Sequence, residues 1–363
     1  MAVPLNVAVL MGGVSHERDV SIESGRVALR HLHGPAHVVR PVVIDRDGTL
    51  RIGRRVVEVT DLDRFDRDRG LPDGSPLLAD VRAPVEAVAQ LVRDGVDVAF
   101  LALHGAGGED GSIQGLLEWA GVPYTSAGVS ASVLALDKCA FKALIAQQGL
   151  PTAPHLSFTS RDWRDDHARI LAAAIEKLGL PFVVKAGTLG SSFGVSVVKD
   201  AGEAKRAVDQ AVEMSDRVLI ESYIRGVELT CPVLGDFRGD ELRALPLVEI
   251  VPKKGEFFDF ESKYSAGGAE EICPARVPAE VAARMAALAI KVHILVGCEG
   301  VSRTDAILAA DGGLFILETN TIPGMTQASL LPKSAAAYGW SLARLFAELT
   351  QLAVSRKLIY SRR

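Results

Sequence analysis

The sequence predicts an α/β protein of more than one domain, which begins with a doubly wound parallel sheet. Its 363 residues exceed twice the length of a typical domain, so two or three hydrophobic cores are expected. Apolar strands alternate with helices in the first third, beginning with a strand over residues 6–11 that ends in two glycines. The strand over 96–103 is almost entirely apolar, as expected when helices cover both faces of a parallel sheet. This alternation is typical of doubly wound domains.

The pattern of helices and strands changes after residue 126. Apolar periodicity predicts helices over 132–148, 165–177 and 281–295, and strands over 181–185, 217–223, 228–234, 301–308 and 313–319. The last two strands are joined by Ala-Asp-Gly-Gly, a hairpin turn signal. Residues 45–75 are rich in Asp, Arg and Gly, and we interpret them as a solvated loop or hairpin. Pro232 lies inside a predicted strand, which predicts an edge strand or a bulge there.

Composition excludes several classes of protein. The 40 Lys and Arg residues against 45 Asp and Glu give a formal charge of −5, without the basic excess of a nucleic-acid binder. No apolar run reaches the roughly 18 residues of a membrane span, and the N-terminus lacks the cationic region of a signal peptide. The four cysteines form no CxxC pair, so neither a disulfide framework nor a zinc site is expected. We therefore expect a cytoplasmic protein whose cysteines are small buried side chains, with no nucleic-acid or membrane partner.

The C-terminal hairpin carries the most informative chemical pattern. Because side chains alternate along a strand, Arg303 and Asp305 share one face of the first strand. Glu318 and Asn320 share one face of the second. In the simplest register Asp305, Glu318 and Asn320 converge as oxygen donors, which suit Mg²⁺ held jointly with substrate phosphates. The alternative is an ordinary solvated strand face, but the tight loop of small residues after Asn320 favours a ligand site.

A glycine-rich segment over 187–194 is a second candidate site. Its backbone N–H groups could surround a phosphate with Lys185 just before it, although Gly/Ser hairpins are also common without a ligand. Lys138 adds a cation in a mostly apolar helix. Residues 12–18 and 104–111 follow strands of the first domain, where doubly wound folds bind ligands, but they lack the dinucleotide spacing GxGxxG. Together these features indicate phosphoryl transfer from a nucleotide to a small acceptor.

At these residues the chain resembles the D-alanine–D-alanine ligases of the ATP-grasp superfamily, in the family's order and over residues 6–353. The resemblance is carried by Gly12-Gly-Val-Ser-His-Glu-Arg-Asp-Val-Ser-Ile-Glu-Ser-Gly25, His104-Gly-Ala-Gly-Gly-Glu-Asp-Gly-Ser-Ile-Gln-Gly115, Asp137-Lys138, Gly190-Ser-Ser-Phe-Gly194, Phe258-Asp-Phe-Glu-Ser-Lys-Tyr264, Gly300-Val-Ser-Arg-Thr-Asp305 and Glu318-Thr-Asn-Thr-Ile-Pro-Gly-Met-Thr326. Several of these motifs are specific to the ligase branch of the superfamily.

The resemblance implies an ATP-grasp fold with three parts. An N-terminal domain like that of biotin carboxylase spans 1–126, a central lobe spans 127–222, and a C-terminal lobe spans 223–363, with ATP clamped between the lobes. It implies that ATP phosphorylates the carboxylate of one D-alanine and that the amine of a second attacks the acyl phosphate. The product, D-alanyl-D-alanine, supplies peptidoglycan synthesis. A pair of Mg²⁺ ions, which Mn²⁺ can replace, and a homodimer are also implied.

The resemblance assigns roles to individual residues of this chain. Those on the nucleotide are Lys138, Lys185, Ser192, Glu221, Tyr223, Ile224 and Glu228. The metal ligands are Asp305, Glu318 and Asn320. Arg303 and the Gly324 N–H match the groups that stabilise the oxyanion of the tetrahedral intermediate.

The remaining assignments concern the amino-acid substrates and a closing loop. Glu17 matches the residue that receives the ammonium of the first D-alanine, and His104 lies near that pocket. Ser329 and Leu330 match the site of the second carboxylate. In the loop assignments, Ser191 and Tyr264 form a triad with Glu17 that ties the loop to the first domain, and Lys263 reaches the transferring phosphate.

The chain departs from the family pattern at several positions and leaves alternatives open. Ser126-Ala127 stands where Gly-Ser is usual, and Phe258 and Phe260 stand where tyrosines are common; neither departure removes a residue with an assigned role. Because Lys263-Tyr264 is retained, D-alanine is favoured over D-lactate as acceptor, and a D-serine-accepting or other D-amino-acid ligase is the nearest alternative. A non-catalytic nucleotide-binding ATP-grasp protein is disfavoured because Arg303 and the metal ligands are all present.

Overall fold

The computed structural model describes residues 3–56, 78–190, 193–239, 241–252 and 269–360. The first part of the chain contains β1 (Leu5–Gly12), α1 (Arg18–Leu32), β2 (His37–Ile44), β3 (Leu50–Gly53), β4 (Leu78–Arg82), α2 (Pro84–Arg93), β5 (Val98–Leu101) and α3 (Ser112–Trp119). There follow α4 (Val129–Leu136), α5 (Lys138–Gln147), β6 (His155–Thr159), α6 (Ser160–Leu178), β7 (Phe182–Ala186), β8 (Val195–Val198), α7 (Ala201–Met214) and β9 (Arg217–Ser222). The last part contains β10 (Gly226–Asp236), β11 (Arg243–Ala244), β12 (Val248–Pro252), β13 (Ala269–Ile272), α8 (Ala279–Val296), β14 (Glu299–Ala309), β15 (Leu314–Asn320), α9 (Leu330–Ala337) and α10 (Leu342–Tyr360).

The first sheet has the strand order β4-β3-β2-β1-β5. Its centre is parallel, because β1 pairs in parallel with both β2 and β5. Residues 7–11 of β1 are fully buried, so this strand has no polar alternation. The predicted parallel sheet is confirmed at its centre, while β3 and β4 add antiparallel strands at one edge. Strand β3 lies within the segment that we interpreted as a loop or hairpin, and residues 57–77 are outside the described ranges.

The second sheet is antiparallel, with the order β6-β9-β7-β8. Helices α6 and α7 pack on one face of it. Helix α6 begins before the predicted residue 165, because Thr159 and Asp162 form a capping box at its start. The single helix predicted over 132–148 is wrong. The chain forms two helices there, because Asp137 adopts an extended conformation and accepts hydrogen bonds from the first N–H groups of α5.

The third sheet has the order β13-β12-β10-β14-β15, with β11 beside β10. Pro232 lies in β10, which is paired on both sides and keeps a regular register against β14. The predicted edge strand is therefore wrong, whereas the predicted bulge has a counterpart on the other side of β10: residues 231–232 face residues 245–247, so the register shifts by one residue between the β12 and β11 pairings. The carbonyl of Pro232 accepts a hydrogen bond from Leu245 N, so the missing N–H faces residues 245–247, between the ends of β11 and β12, where no ladder bond is required.

The core of the first sheet is completed by residues from the far end of the described chain. Leu331, Phe346 and Leu349 belong to the same buried cluster as the strands of this sheet. The Phe346 ring packs edge-on against Phe100 of β5, with ring centroids 5.2 Å apart. Helix α10 therefore returns to the first sheet. Within the described ranges, every helix is too short or too polar to span a membrane.

A buried arginine holds α10 against the rest of the protein. Arg356 on α10 donates to the carbonyl oxygens of Tyr124 (2.7 Å) and Ser126 (2.9 Å). It also forms an ion pair with Glu299 at the start of β14. The Arg356 guanidinium thus joins α10 to residues 124–126 and to β14 of the third sheet.

Candidate functional site

The site is organised by the hairpin of β14 and β15. Asp305 lies directly opposite Glu318, and Arg303 lies opposite Asn320. The register shifts between Asp305 and Ala306, so a β-bulge follows the acidic pair, as is common beside active sites. Arg303 donates to both carboxylate oxygens of Asp305, at 3.0 and 2.8 Å. Asp305 and Glu318 are therefore direct cross-strand neighbours, and Asn320 lies two residues further along β15.

The donor set of this hairpin fits a hard divalent cation. Two carboxylates and one amide oxygen come from adjacent positions, and Asp305 is 3% exposed. Among the described residues, no three His, Cys, Asp or Glu side chains gather into a metal site. With Asp305, Glu318 and Asn320, the hairpin offers three oxygen ligands, a donor set that suits Mg²⁺ when phosphates and water supply the other ligands.

A single cleft brings together the residues assigned to the nucleotide. Its walls include Lys138, Lys185, Glu221, Tyr223, Ile224, Glu228, Asp305 and Glu318. The walls come from β7 and β9 of the second sheet and from β10, β12, β14 and β15 of the third. Apolar side chains such as Val183, Ile250 and Ile307 line the remainder. The cleft thus combines an apolar wall, cations and the acidic pair, which is the chemistry needed for a base, phosphates and metal.

Lys138 crosses this cleft. It is the first residue of α5, and its Nζ donates to the carbonyl of Leu189 in the glycine-rich segment at 2.8 Å. The same Nζ lies 3.0 Å from Oε2 of Glu318. The lysine therefore links the glycine-rich segment to the acidic pair.

A buried lysine–glutamate cluster lies behind the cleft. Glu221 forms ion pairs with Lys185 and Lys142, and Lys142 is fully buried. Burial would raise the pKa of Glu221, but the ammonium groups overcome this and hold it at about 2. Sequence reasoning missed Lys142. Its spacing of four residues from Lys138, on the same face of one helix, is the signal that could have found it.

A second group of polar residues lies where the first sheet meets the hairpin. Burial is the main cause that lowers the pKa of His104, while the nearby Glu17 carboxylate opposes it. Burial and Glu17 raise the pKa of Glu109 to about 8. Burial would lower the pKa of Arg303, but Asp305 raises it. Glu109 was not singled out from the sequence, although it lies inside the quoted motif that begins at His104.

Two glycines approach the Glu17 carboxylate so closely that neither position has room for a side chain. A Cβ at Gly105 would lie 2.9 Å from Oε2 of Glu17, and a Cβ at Gly190 would lie 2.8 Å from it. The ring of His16 stacks on Phe193, with centroids 5.1 Å apart. The loop after β1 and the glycine-rich segment therefore contact each other around Glu17.

The loop after β15 connects both regions. Met325 N donates to Ser24 Oγ at 3.3 Å, and Ser24 Oγ lies 3.4 Å from His104 Nε2. Ser329 directly precedes the first residue of α9. A Cβ placed on Gly324 would lie 2.8 Å from Ser329 Oγ. The N-terminus of α9 at Leu330 therefore lies beside Gly324, and N–H groups at such a terminus attract carboxylates.

Four residues with assigned roles cannot be placed in the site, and the four cysteines take no part in it. Ser191, Ser192, Lys263 and Tyr264 lie outside the described residues. All four cysteines are free, and three of them are buried as predicted; Cys273 is only half-buried, so the prediction is wrong for this residue. Burial raises the pKa of Cys231 and Cys298 to about 12, so these thiols stay protonated and neither attack nor bind metal.

Comparison with known proteins identifies relatives over nearly the whole chain. Residues 6–127 match the family model described as D-ala D-ala ligase N-terminus, and residues 144–351 match the D-ala D-ala ligase C-terminus. The D-alanine–D-alanine ligase of Desulforudis audaxviator is 40% identical over 352 residues, covering 96% of this chain and 99% of the relative. That of Syntrophobacter fumaroxidans is 39% identical, covering 96% and 98%.

Solved structures give the same picture. The D-alanine-D-alanine ligase from Coxiella burnetii has a TM-score of 0.79 at 26% identity, covering 99% of this chain and 97% of that one. The VanG D-Ala:D-Ser ligase from Enterococcus faecalis has a TM-score of 0.81 at 29% identity, covering 97% and 100%. The fold of this chain is therefore shared over nearly the full length of each of these two proteins.

Proposed function

This chain belongs to the D-alanine–D-alanine ligase family, and from that membership we propose how its residues carry out the reaction. It is an ATP-dependent ligase of the ATP-grasp fold that joins two D-alanines for peptidoglycan synthesis. The observation that carries the residue assignments is the cleft in which Lys138, Lys185 and Glu221 face the acidic pair Asp305 and Glu318.

ATP is held in this cleft, with its base and ribose near Glu221, Tyr223, Ile224 and Glu228 and its phosphates near Lys138 and Lys185. Ser192 of the glycine-rich segment adds a phosphate contact. Asp305, Glu318 and Asn320 hold a pair of Mg²⁺ ions, which Mn²⁺ can replace. When bound, the ions neutralise charge on the phosphate oxygens.

In the first step, a carboxylate oxygen of the first D-alanine attacks the γ-phosphorus and ADP leaves. Glu17 receives the ammonium group of this substrate beside His104. The closeness of Glu17 to His104 supports this role. Lys263, Tyr264 and Ser191 are assigned to the loop that closes over the acyl phosphate and keeps water out.

In the second step, the amine of the second D-alanine attacks the acyl carbon, and phosphate leaves as the C–O bond breaks. Arg303 and the Gly324 N–H stabilise the oxyanion of the tetrahedral intermediate. Ser329 and Leu330 bind the second carboxylate. Their place at the N-terminus of α9, beside Gly324, supports this assignment.

The experiment that tests the proposal is ATP-dependent phosphate release with Mg²⁺, followed by the mass of the product. D-alanine alone should give D-alanyl-D-alanine, and L-alanine should give no dipeptide. Phosphate release without a dipeptide, or no release with D-alanine, would contradict the proposed roles. Parallel reactions with D-serine and D-lactate test the second candidate function, which the likeness to a D-Ala:D-Ser ligase favours.

We extend the proposal to organisation and location. One sheet falls in each of the ranges 1–126, 127–222 and 223–363, which supports these as the domain and two lobes.

Trp119 is 95% exposed at the end of α3, and Val85 is 70% exposed on α2, which packs against α3. Such apolar exposure supports a homodimer, and light scattering of Trp119→Glu should then report monomers. Free cysteines and the use of ATP support a cytoplasmic location.

A further inference from the structure

Lys142 lies behind the nucleotide cleft and is surrounded by oxygen atoms. Its Nζ donates to Thr152 Oγ1 at 2.8 Å and to the carbonyl of Ile316 at 2.7 Å. It also lies 2.8 Å from Oε2 of Glu221, as an ion pair. Burial lowers the pKa of Lys142, and the carboxylate of Glu221 opposes this by stabilising the ammonium form. The side chain is fully buried and is absent from the walls of the cleft.

The charges of this cluster decide how strongly Lys185 attracts an anion. Glu221 is 2% exposed and is paired with Lys185 through Oε1 and with Lys142 through Oε2. Without Lys142, the buried pair of Glu221 and Lys185 would be neutral. With Lys142, the cluster carries a net positive charge; Lys185 and Glu221 line the cleft, and Lys142 lies behind them. Buried charges are weakly screened, so this difference is felt across the cleft.

We propose that Lys142 is a positioning residue that neutralises Glu221 from behind and so preserves the attraction of Lys185 for the phosphates of the nucleotide. The proposal rests on the assignment of this cleft to ATP. It predicts a dependence on ligand charge: Lys142 contributes to the binding of ATP, less to ADP, and little to adenosine. A residue that merely supports the shape of the cleft would affect all three ligands equally.

The test is calorimetric titration of ATP, ADP and adenosine into the full-length protein at constant Mg²⁺. Lys142→Met should weaken ATP binding about tenfold and adenosine binding less than about twofold. Lys142→Arg, which keeps the charge, should retain the wild-type ratio of ATP to adenosine affinity. Lys205→Met is the matched control, because it removes a positive charge from a surface pair with Asp209. It should leave all three affinities unchanged.

The double variant Lys142→Met, Glu221→Gln makes the test independent of the stability of the single variant. It removes both members of a buried ion pair, so no uncompensated carboxylate is left behind. Its cluster has the same net charge as the wild type. The absolute affinity should fall because Glu221 contacts the nucleotide, but the ratio of ATP to adenosine affinity should return to the wild-type value.

Two results would overturn the proposal. One is an equal loss of ATP and adenosine binding in Lys142→Met, and the other is a ratio that stays low in the double variant. Failure of the proposed ligase function would be recognised by a different result. If Lys142→Met loses ATP affinity more than adenosine affinity, as expected, but the wild-type protein makes no dipeptide, the ligase roles are wrong and the role of Lys142 stands.

Discussion

Lys138 Nζ lies 3.0 Å from Glu318 Oε2, and this contact joins the start of helix α5 to strand β15 across the nucleotide cleft. The ammonium group occupies a position beside one of the carboxylates assigned to the metal. In the absence of nucleotide, we therefore expect Lys138 to compete with a divalent cation for Glu318. The phosphates of ATP should give Lys138 another partner and relieve this competition, so the binding of nucleotide and metal should be linked.

Lys138→Met should raise the affinity of the nucleotide-free protein for Mn²⁺ by about fivefold, because the competing cation is gone. Titration of Mn²⁺ monitored by electron paramagnetic resonance measures this directly. Lys205→Met serves again as a control for the change in net charge. Unchanged or weaker Mn²⁺ binding in Lys138→Met would show that the two cations do not compete.

Glu318→Ala should reduce turnover by at least about a hundredfold at saturating Mg²⁺, because a carboxylate that holds the metal at the phosphates is lost. Steady-state phosphate release with D-alanine measures the effect. Glu280→Ala, at an exposed position on α8, should retain full activity. Retention of more than a few per cent of wild-type turnover in Glu318→Ala would exclude Glu318 as a metal ligand.

His293 should make stability depend on pH. It is fully buried on α8, with Nδ1 2.7 Å from Ser302 Oγ. Burial lowers its pKa to about 4, from an ordinary value near 6.5. The unfolded chain therefore binds more protons between these values, and stability should fall by about 3 kcal/mol as the pH drops from 6.5 to 4.

Urea unfolding across this pH range measures the contribution of His293. His293→Asn should flatten the slope of the unfolding free energy between pH 6.5 and 4. His167→Asn, at an exposed histidine of α6, should leave the slope as in the wild type. An equal slope in His293→Asn and the wild type would show that another group is responsible.

Ser126 stores backbone strain. Its φ is 122°, a region that favours glycine, and it stands where the family usually has glycine. The carbonyl of Ser126 accepts a hydrogen bond from Arg356, which holds the segment in this conformation. Ser126→Gly should raise the free energy of unfolding by about 1 kcal/mol. Ser355→Gly, in the exposed part of α10, should lower it by roughly 0.5–1 kcal/mol. Thermal unfolding distinguishes the two, and a lower Tm for Ser126→Gly would contradict the assignment of strain.

The convergence of oxygen donors on the β14–β15 hairpin could be predicted from the sequence, because it depends only on side-chain alternation and a short turn. Side-chain alternation places Asp305, Glu318 and Asn320 on matching faces, and a short turn sets the register to within one residue. The bulge beside Asp305 was not predictable in this way: β14 keeps a regular register with β10 there, and the extra residue, Leu317, lies on β15.

Other features depend on tertiary contacts that no local pattern reveals. The sequence marks Lys142 only by its spacing of four residues from Lys138, because its charged and carbonyl partners come from β9 and β15. The apolar periodicity through Asp137 is continuous, so the break between α4 and α5 is fixed only by the cap that Asp137 makes. Pro232 is tolerated in a central strand because of a gap in the neighbouring strands, not because of its own surroundings in sequence.

The packing of Phe346 and Leu349 against the first sheet has a consequence for the ribosome-bound chain. As the polypeptide emerges, β1, β2 and β5 appear long before α10, so the apolar surface that α10 covers stays exposed to water until late in translation. The first sheet cannot reach its final stability as an autonomous unit. Nascent chains arrested before residue 342 should therefore recruit chaperones that bind apolar surface, and release of the complete chain should end that association.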